Sequence, residues 1–221
     1  MPTLLLRLVG PMQSWGVQSN FTVRDTGLEP SKSGIVGLLC AALGRQRDAE
    51  IDDLAALRMG VRVDREGQMA GDYHTAQNVL KAAGGIKKTE VSRRYYLADA
   101  RFLVGLEGDD LALFRKLHDA LAAPYWPLYL GRKAFVPGEP VWLKDGLCAH
   151  KSLRAALRDY PWLGHLHPDD RPPRLRLVLE DPAGSEVHPD QPVSFAERRF
   201  VPRRVSTDWV TMKEDLCTYL D

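Results

Sequence analysis

Apolar and polar positions alternate along the chain in a way that marks out a series of short elements. Thr3 to Val9 is a mostly apolar run that predicts a buried strand, closed by Gly10-Pro11. Residues 11–30 mix polar residues with glycine and predict a long loop. Ser31 or Ser33 then caps a helix whose apolar face is Ile35, Leu38, Leu39, Ala42 and Leu43. Gly60 to Asp64 and Phe102 to Leu106 predict two further strands. Gly108-Asp109 opens a second helix with Leu111, Phe114, Leu117 and Leu121 on one face, and Pro124 stops it. Phe135 to Leu143 supplies a last strand. The order βαββαβ is that of a ferredoxin-like, RRM-like α+β domain. Such a sheet has one face covered by two helices and one face open to a partner. RNA-recognition domains use the open face, although the fold by itself does not specify a function.

Two segments exceed this minimal pattern. Residues 66–98 carry Lys81, Lys87, Lys88, Arg93 and Arg94, with Glu90 the single acid between Lys81 and Arg94 and Gly84-Gly85 in the middle. A long basic insertion with glycines is functional or disordered. After about residue 145, Pro168, Pro172 and Pro173 read as a linker, Arg174 to Glu180 alternates as a half-exposed strand does, and Phe195 to Arg204 holds Arg198, Arg199, Arg203 and Arg204. The expected division is therefore a domain over residues 1–145 and a smaller, mainly β region over 146–221.

Composition narrows the class. The chain has 221 residues, 44% of them hydrophobic, enough for a proper core. Thirty Lys and Arg against 29 Asp and Glu leave +1, so any nucleic-acid surface must come from local clustering. Cys40, Cys148 and Cys217 are widely spaced and odd in number, which fits neither a disulfide framework nor a zinc site. His165 and His167 lie in a proline-rich loop with no third ligand nearby, so no metal or other cofactor is expected. No stretch approaches the ~18 apolar residues of a membrane span, and MPTLLLRLVGPMQSW lacks a cleavage pattern. A soluble, cytoplasmic protein is expected.

Four constellations can carry chemistry. In Gly10 to Gly16, the residues Gln13, Ser14 and Trp15 can hold a sugar-phosphate chain and stack a base, or form a turn with Trp15 in the core. In Pro30 to Gly34, the residues Ser31, Lys32 and Ser33 sit at a helix start, where free amides and the dipole favour an anion. The phosphate-loop pattern of nucleotide hydrolases fails there, because it needs glycine where Lys32 stands. The alternative is an ordinary serine cap with a solvated lysine. Asp72, Tyr73, His74 and Thr75 border the basic insertion. A tyrosine and a histidine, with Lys133 stabilising the charge, are the parts of a metal-independent ribonuclease, and equally of a site that binds RNA without cutting it. Gly131, Arg132 and Lys133 suit a phosphate contact, or an exposed turn.

Read together, LRLVGPMQSWG, PSKSGIVGLLCAALG, GVRVDREG, DYHT, YLADARFLVGLEG and PLYLGRK, in this order, resemble the CasD subunits of the type I-E CRISPR surveillance complex, Cascade. The resemblance is close over residues 3–143 and general beyond them. It implies a RAMP-superfamily chain with a modified ferredoxin-like fold and a thumb hairpin, here about residues 76–97 with Lys87, Lys88, Arg93 and Arg94. It implies a non-catalytic subunit that caps the 5′ handle of the guide RNA and contacts the backbone and large subunits, meeting target DNA only through the complex. The implied RNA contacts are Gln13, Ser14, Trp15, Arg24, Ser31, Lys32, Ser33, Tyr73, His74, Thr75, Gly131, Arg132 and Lys133. A related branch cuts repeat RNA with a tyrosine, a histidine and a lysine, which keeps Tyr73, His74 and Lys133 as an alternative. A protein-only scaffold that uses its sheet to bind partner subunits is the third reading.

Overall fold

The structure, a computed structural model, describes residues 1–17, 22–164 and 172–211. Pro168, His165, His167 and Cys217 lie outside the described residues. The fold is α+β and built on antiparallel sheets. The first strand, β1 (Thr3–Val9), and the first helix, α1 (Lys32–Leu43), stand where the apolar pattern places them. A short helix, α2 (Asp52–Ala55), follows, and strands β4 (Arg58–Arg65) and β7 (Arg101–Glu107) and helix α3 (Leu111–Ala122) extend each predicted core by one to a few residues. The N-cap of α3 is Asp110, whose carboxylate accepts from the amides of Ala112 and Leu113 at 2.9 and 3.0 Å.

Strand alternation sorts the side chains into two layers. Leu4, Leu6 and Leu8 of β1, Met59, Val61 and Val63 of β4, and Phe102, Val104 and Leu106 of β7 face the core under α1 and α3. Leu5 and Leu103 point the other way. They meet Leu153, Ala156 and Leu157 of the helix α4 (Leu153–Asp159), together with Leu177 and Leu179 of the strand β9 (Leu175–Glu180). The second sheet face is therefore packed, not open, and the expectation of an exposed RNA-recognition face is corrected here. Gly60 and Gly105 make this possible: a Cβ on either would lie within 3 Å of an α4 leucine. Fully burying Leu153 and Leu157 contributes roughly 1.5–3 kcal/mol each, enough to hold a helix of only two turns.

The sheet continues into the C-terminal third. Strand β9 pairs with β4, β11 (Arg199–Val210) pairs with β9, and β10 (Glu186–Ser194) pairs with β11. The run predicted as a last strand, Phe135 to Leu143, is not a strand. Pro137 and Pro140 lack amide donors, and only isolated bonds reach β1: Gly138 N–H to Val9 O at 2.8 Å and Arg7 N–H to Val141 O at 2.9 Å. The edge is completed by the two-residue strand β8 (Leu147–Cys148).

A second sheet projects from the first. Strands β5 (Gln68–Leu80) and β6 (Ile86–Ala98) form a hairpin of 13-residue arms, longer than the thumb expected at 76–97. Its turn is closed by Gly84 and Gly85, both at positive φ, as a tight turn requires. The loop expected over residues 11–30 contains two short strands, β2 (Met12–Gln13) and β3 (Val23–Arg24), and both pair with the root of β6. Among the described residues no helix is long and apolar enough to cross a membrane.

Candidate nucleic-acid interface

The N-terminal motif becomes a bolt between the two sheets. Gln13 is fully buried, and its side-chain amide donates to Leu8 O and Ala100 O at 3.1 and 2.9 Å. Its carbonyl accepts from Trp15 Nε1 at 3.2 Å. Trp15 is 2% exposed and lies against the first turn of α1, where a Cβ on Gly34 would be 2.8 Å from the ring. These two side chains are spent on the framework. The expected stacking of a base on Trp15 is corrected, because no ring face is free.

The start of α1 is likewise occupied from within. Ser31 is the N-cap and accepts from Gly34 N. The Lys32 amide donates to the Asp190 carboxylate at 2.7 Å, so the anion that the helix dipole attracts is Asp190 itself. The Lys32 ammonium is 1% exposed and pairs with both oxygens of Glu180 at 3.0 and 2.8 Å. Burial pushes its pKa down, and the Glu180 carboxylate opposes that shift. Asp190 in turn holds Arg203 at 2.7 and 3.0 Å. Lys32 is thus neither a phosphate contact nor a solvated cation but the centre of a buried ionic network.

The remaining residues converge. Ser14, Gly16, Arg24, Asp25, Ser31, Ser33, Gly131 and Arg132 line one open cleft of about 260 Å³. Arg132 Nη2 donates to Tyr95 O at 2.8 Å and Arg24 O at 3.3 Å, and its guanidinium carbon lies 5.4 Å from the Phe135 ring centroid. Burial, then the charges of Arg94 and Arg24, push the Arg132 guanidinium below the usual arginine range. Arg24 and Arg132 line the cleft, Arg94 stands in register beside Arg24, and Asp25 and Asp72 offset part of their charge. Gly131 brings Arg132 there: its φ is +91°, and a Cβ on it would fall 1.7 Å from the Ser14 carbonyl oxygen. Lys133 is exposed beside it.

The Asp72 to Thr75 segment is in the hairpin itself, not beside it. Tyr73 stands opposite Arg93 and His74 opposite Ser92. Neighbours on a strand point to opposite faces, so Tyr73 and His74 look away from one another. His74 Nε2 is 2.5 Å from Asp72 Oδ2, and Tyr73 is 64% exposed. Thr75 is exposed opposite Val91. Farther out, Lys87 pairs with Glu90 and Lys88 is exposed, whereas Arg93 and Arg94 sit at the hairpin root against β3. Among the described residues no group of three or more His, Cys, Asp and Glu is placed to hold a metal ion.

Sequence reasoning missed Phe195 and Phe200, which also line the cleft. The signal was present as aromatics interleaved with arginines in Phe195 to Arg204, but nothing local ties that run to the N-terminal motifs.

Comparison with known proteins agrees with this construction. The sequence profile described as "CRISPR-associated protein (Cas_Cas5)" matches residues 3–206. The CRISPR system Cascade subunit CasD of Escherichia coli (strain K12) is 36% identical over 177 residues, covering 73% of this chain and 78% of that protein. A solved structure described as "Crystal structure of Cas protein" shares 47% identity at a TM-score of 0.77, over 95% of each chain. A chain of a "CRISPR RNA-guided surveillance complex" shares 35% identity at a TM-score of 0.78, over 95% of this chain and 90% of its own. With a profile match over most of its length and relatives at these identities, the chain belongs to the CRISPR-associated protein (Cas_Cas5) family.

Proposed function

We propose that this chain is a non-catalytic subunit of a CRISPR RNA-guided surveillance complex of the Cascade type, which caps the 5′ handle of the guide RNA. The observation that carries the reading is the convergence of Arg24 and Arg132 on one open cleft, with Arg94 paired in register beside Arg24. Single-stranded RNA supplies closely spaced anions, and a groove of cations with adjacent hydroxyls tracks them. The Cascade and surveillance-complex descriptions of its relatives support guide RNA and the other subunits as partners. A cytoplasmic location and contact with target DNA through the complex belong to the same reading.

The strand order β4-β7-β1-β8 supports a ferredoxin-like RAMP domain over residues 1–145, with residues 146–221 widening its sheet. Binding without cleavage is supported by the opposed directions of Tyr73 and His74, which a shared acid–base step at one phosphate does not fit. In a binding assay with a repeat-derived handle RNA, Arg24→Ala, Arg132→Ala and Lys133→Ala should each lower the slope of log K against log salt by about 0.7. Lys32→Ala should leave that slope unchanged. The RNA should be recovered intact. Specific cleavage lost in His74→Ala would overturn the non-catalytic reading, and unchanged slopes in all three cation variants would overturn the RNA cleft.

The hairpin fits the role of a thumb that a partner orders. Leu80 and Ile86 stand opposite each other at its tip and are 81% and 61% exposed. A two-stranded arm is marginal in water, so its stability is expected to come from contact with RNA and a neighbouring subunit. Replacing residues 76–90 with Asn-Gly keeps the pair Thr75 and Val91 and the root bonds to β2 and β3. This variant should melt within a few degrees of the parent but fail to assemble with the neighbouring subunit. Normal assembly would make the hairpin a tolerated surface loop, and loss of folding would make it part of the framework.

A further inference from the structure

The cleft has two unlike walls. One is polar and cationic, from Ser14, Arg24, Ser33 and Arg132. The other is the turn between β10 and β11 with the start of β11, which contribute two phenyl rings, Phe195 from the turn and Phe200 from the strand. Phe195 rests over α1, where a Cβ on Gly37 would lie 3.8 Å from its Cζ, and its carbonyl accepts from Arg47 Nε at 3.0 Å. Phe200 packs against Phe195 with ring centroids 6.3 Å apart and planes tilted by 62°. One ring is thus anchored, and the second leans on it while remaining 42% exposed in the cleft that Arg24 and Arg132 also line.

Phosphate contacts alone leave this wall without a purpose. A free anion needs no aromatic surface, and an apolar peptide gains nothing from the guanidinium groups in the same cleft. The ligand chemistry that satisfies both walls is a nucleotide, whose flat base and charged phosphate lie on opposite sides of its sugar. Stacking on an aromatic ring is tolerant of base identity, because every base has a π-face.

We propose that Phe200, braced by Phe195, stacks one nucleobase that is turned out of the guide RNA, while Arg24 and Arg132 hold the flanking phosphates. The proposal rests on the RNA reading of the cleft and adds to it a base subsite formed by the β10–β11 turn and the start of β11.

The test uses the full-length chain and a repeat-derived handle RNA, together with a series of the same RNA carrying one abasic nucleotide at each position in turn. Phe200→Ala should weaken binding by roughly 5- to 150-fold with the salt slope unchanged. Phe200→Tyr should restore it. At one position the abasic RNA should bind the parent chain as weakly as intact RNA binds Phe200→Ala, and it should bind that variant no worse. Phe200 is partly exposed, so the variant should keep the parent's melting temperature within a few degrees, which separates stacking from misfolding. If Phe200→Ala binds RNA normally while Arg132→Ala loses affinity and slope, the cleft holds only backbone and the base subsite is wrong. If Phe200→Ala binds RNA normally but no longer assembles with other subunits, the rings dock protein and the proposal also falls. If neither variant alters RNA binding, the RNA reading fails and takes the subsite with it.

Discussion

Arg62→Ala is expected to destabilise the folded chain by about 3–5 kcal/mol, the cost of breaking a buried ion pair by removing one partner. Arg62 and Asp64 are both completely buried on the packed face of the main sheet, joined Nε to Oδ1 at 2.6 Å and Nη2 to Oδ2 at 2.7 Å. The guanidinium also donates to Leu157 O at 2.5 Å, Tyr160 O at 2.6 Å and Pro161 O at 2.8 Å, so one side chain collects the carbonyls at and just beyond the end of α4. Asp64 accepts from Leu163 N at 2.7 Å. Alanine would leave the carboxylate in the interior with much of its charge uncompensated, and three carbonyls without their donor. A domain of this size has about 5–15 kcal/mol to lose, so the variant should unfold at markedly lower urea concentration. The double change Arg62→Leu with Asp64→Leu should recover a large part of the loss, because it removes both charges and keeps apolar volume. A loss below about 1 kcal/mol in the single variant would mean that water reaches the pair and that the α4 layer is not held by it.

Gly131→Ala is expected to lower affinity for handle RNA by at least about tenfold, more than Arg132→Ala alone. Two effects combine. The positive φ of +91° is costly for a residue with a Cβ, by about 1–3 kcal/mol for a sparsely populated backbone region, and here the new carbon would fall 1.7 Å from the Ser14 carbonyl oxygen. That contact is impossible, so the loop must move. The loop is tied on both sides, by Ser14 N–H to Leu130 O at 3.1 Å and Leu130 N–H to Phe135 O at 2.7 Å, with Leu130 fully buried. Relief therefore displaces Arg132 and the Ser14 edge of the cleft together. Titration of labelled RNA, with a melting curve to record the accompanying loss of stability, checks this. Parent-like affinity would show that the cleft does not depend on the close approach of these two segments.

Much of the fold is legible from local pattern. The periodicity around Leu38 and Leu39, or Phe114 and Leu117, commits those segments to helices because one face must leave water. The run Leu4 to Leu8 reads as a buried strand, although its burial on both faces was not expected. The failures have local causes too. Phe135 to Leu143 has the apolar content of a strand but not the donors, since Pro137 and Pro140 interrupt the ladder. The open sheet face was expected because the short run of α4 gives too little periodicity to place it on the sheet.

The candidate site was legible as a set of residue types and not as a surface. Gln13 and Trp15 carry groups that suit RNA, and the same groups suit a buried joint; which use prevails depends on Gly34 leaving room for the indole. Lys32 looks like a phosphate ligand until Glu180 and Asp190 arrive from 148 and 158 residues away. By itself, then, the sequence determined the main strands and helices of the core, the family and the chemistry on offer, because propensity, periodicity and motifs act over a few residues at a time. Only the tertiary structure decided which cations are consumed inside and which remain for a ligand. That choice is made by long-range strand pairing, which seats Asp190 on the α1 terminus and brings Phe195 and Phe200 to the cleft that Arg132 lines.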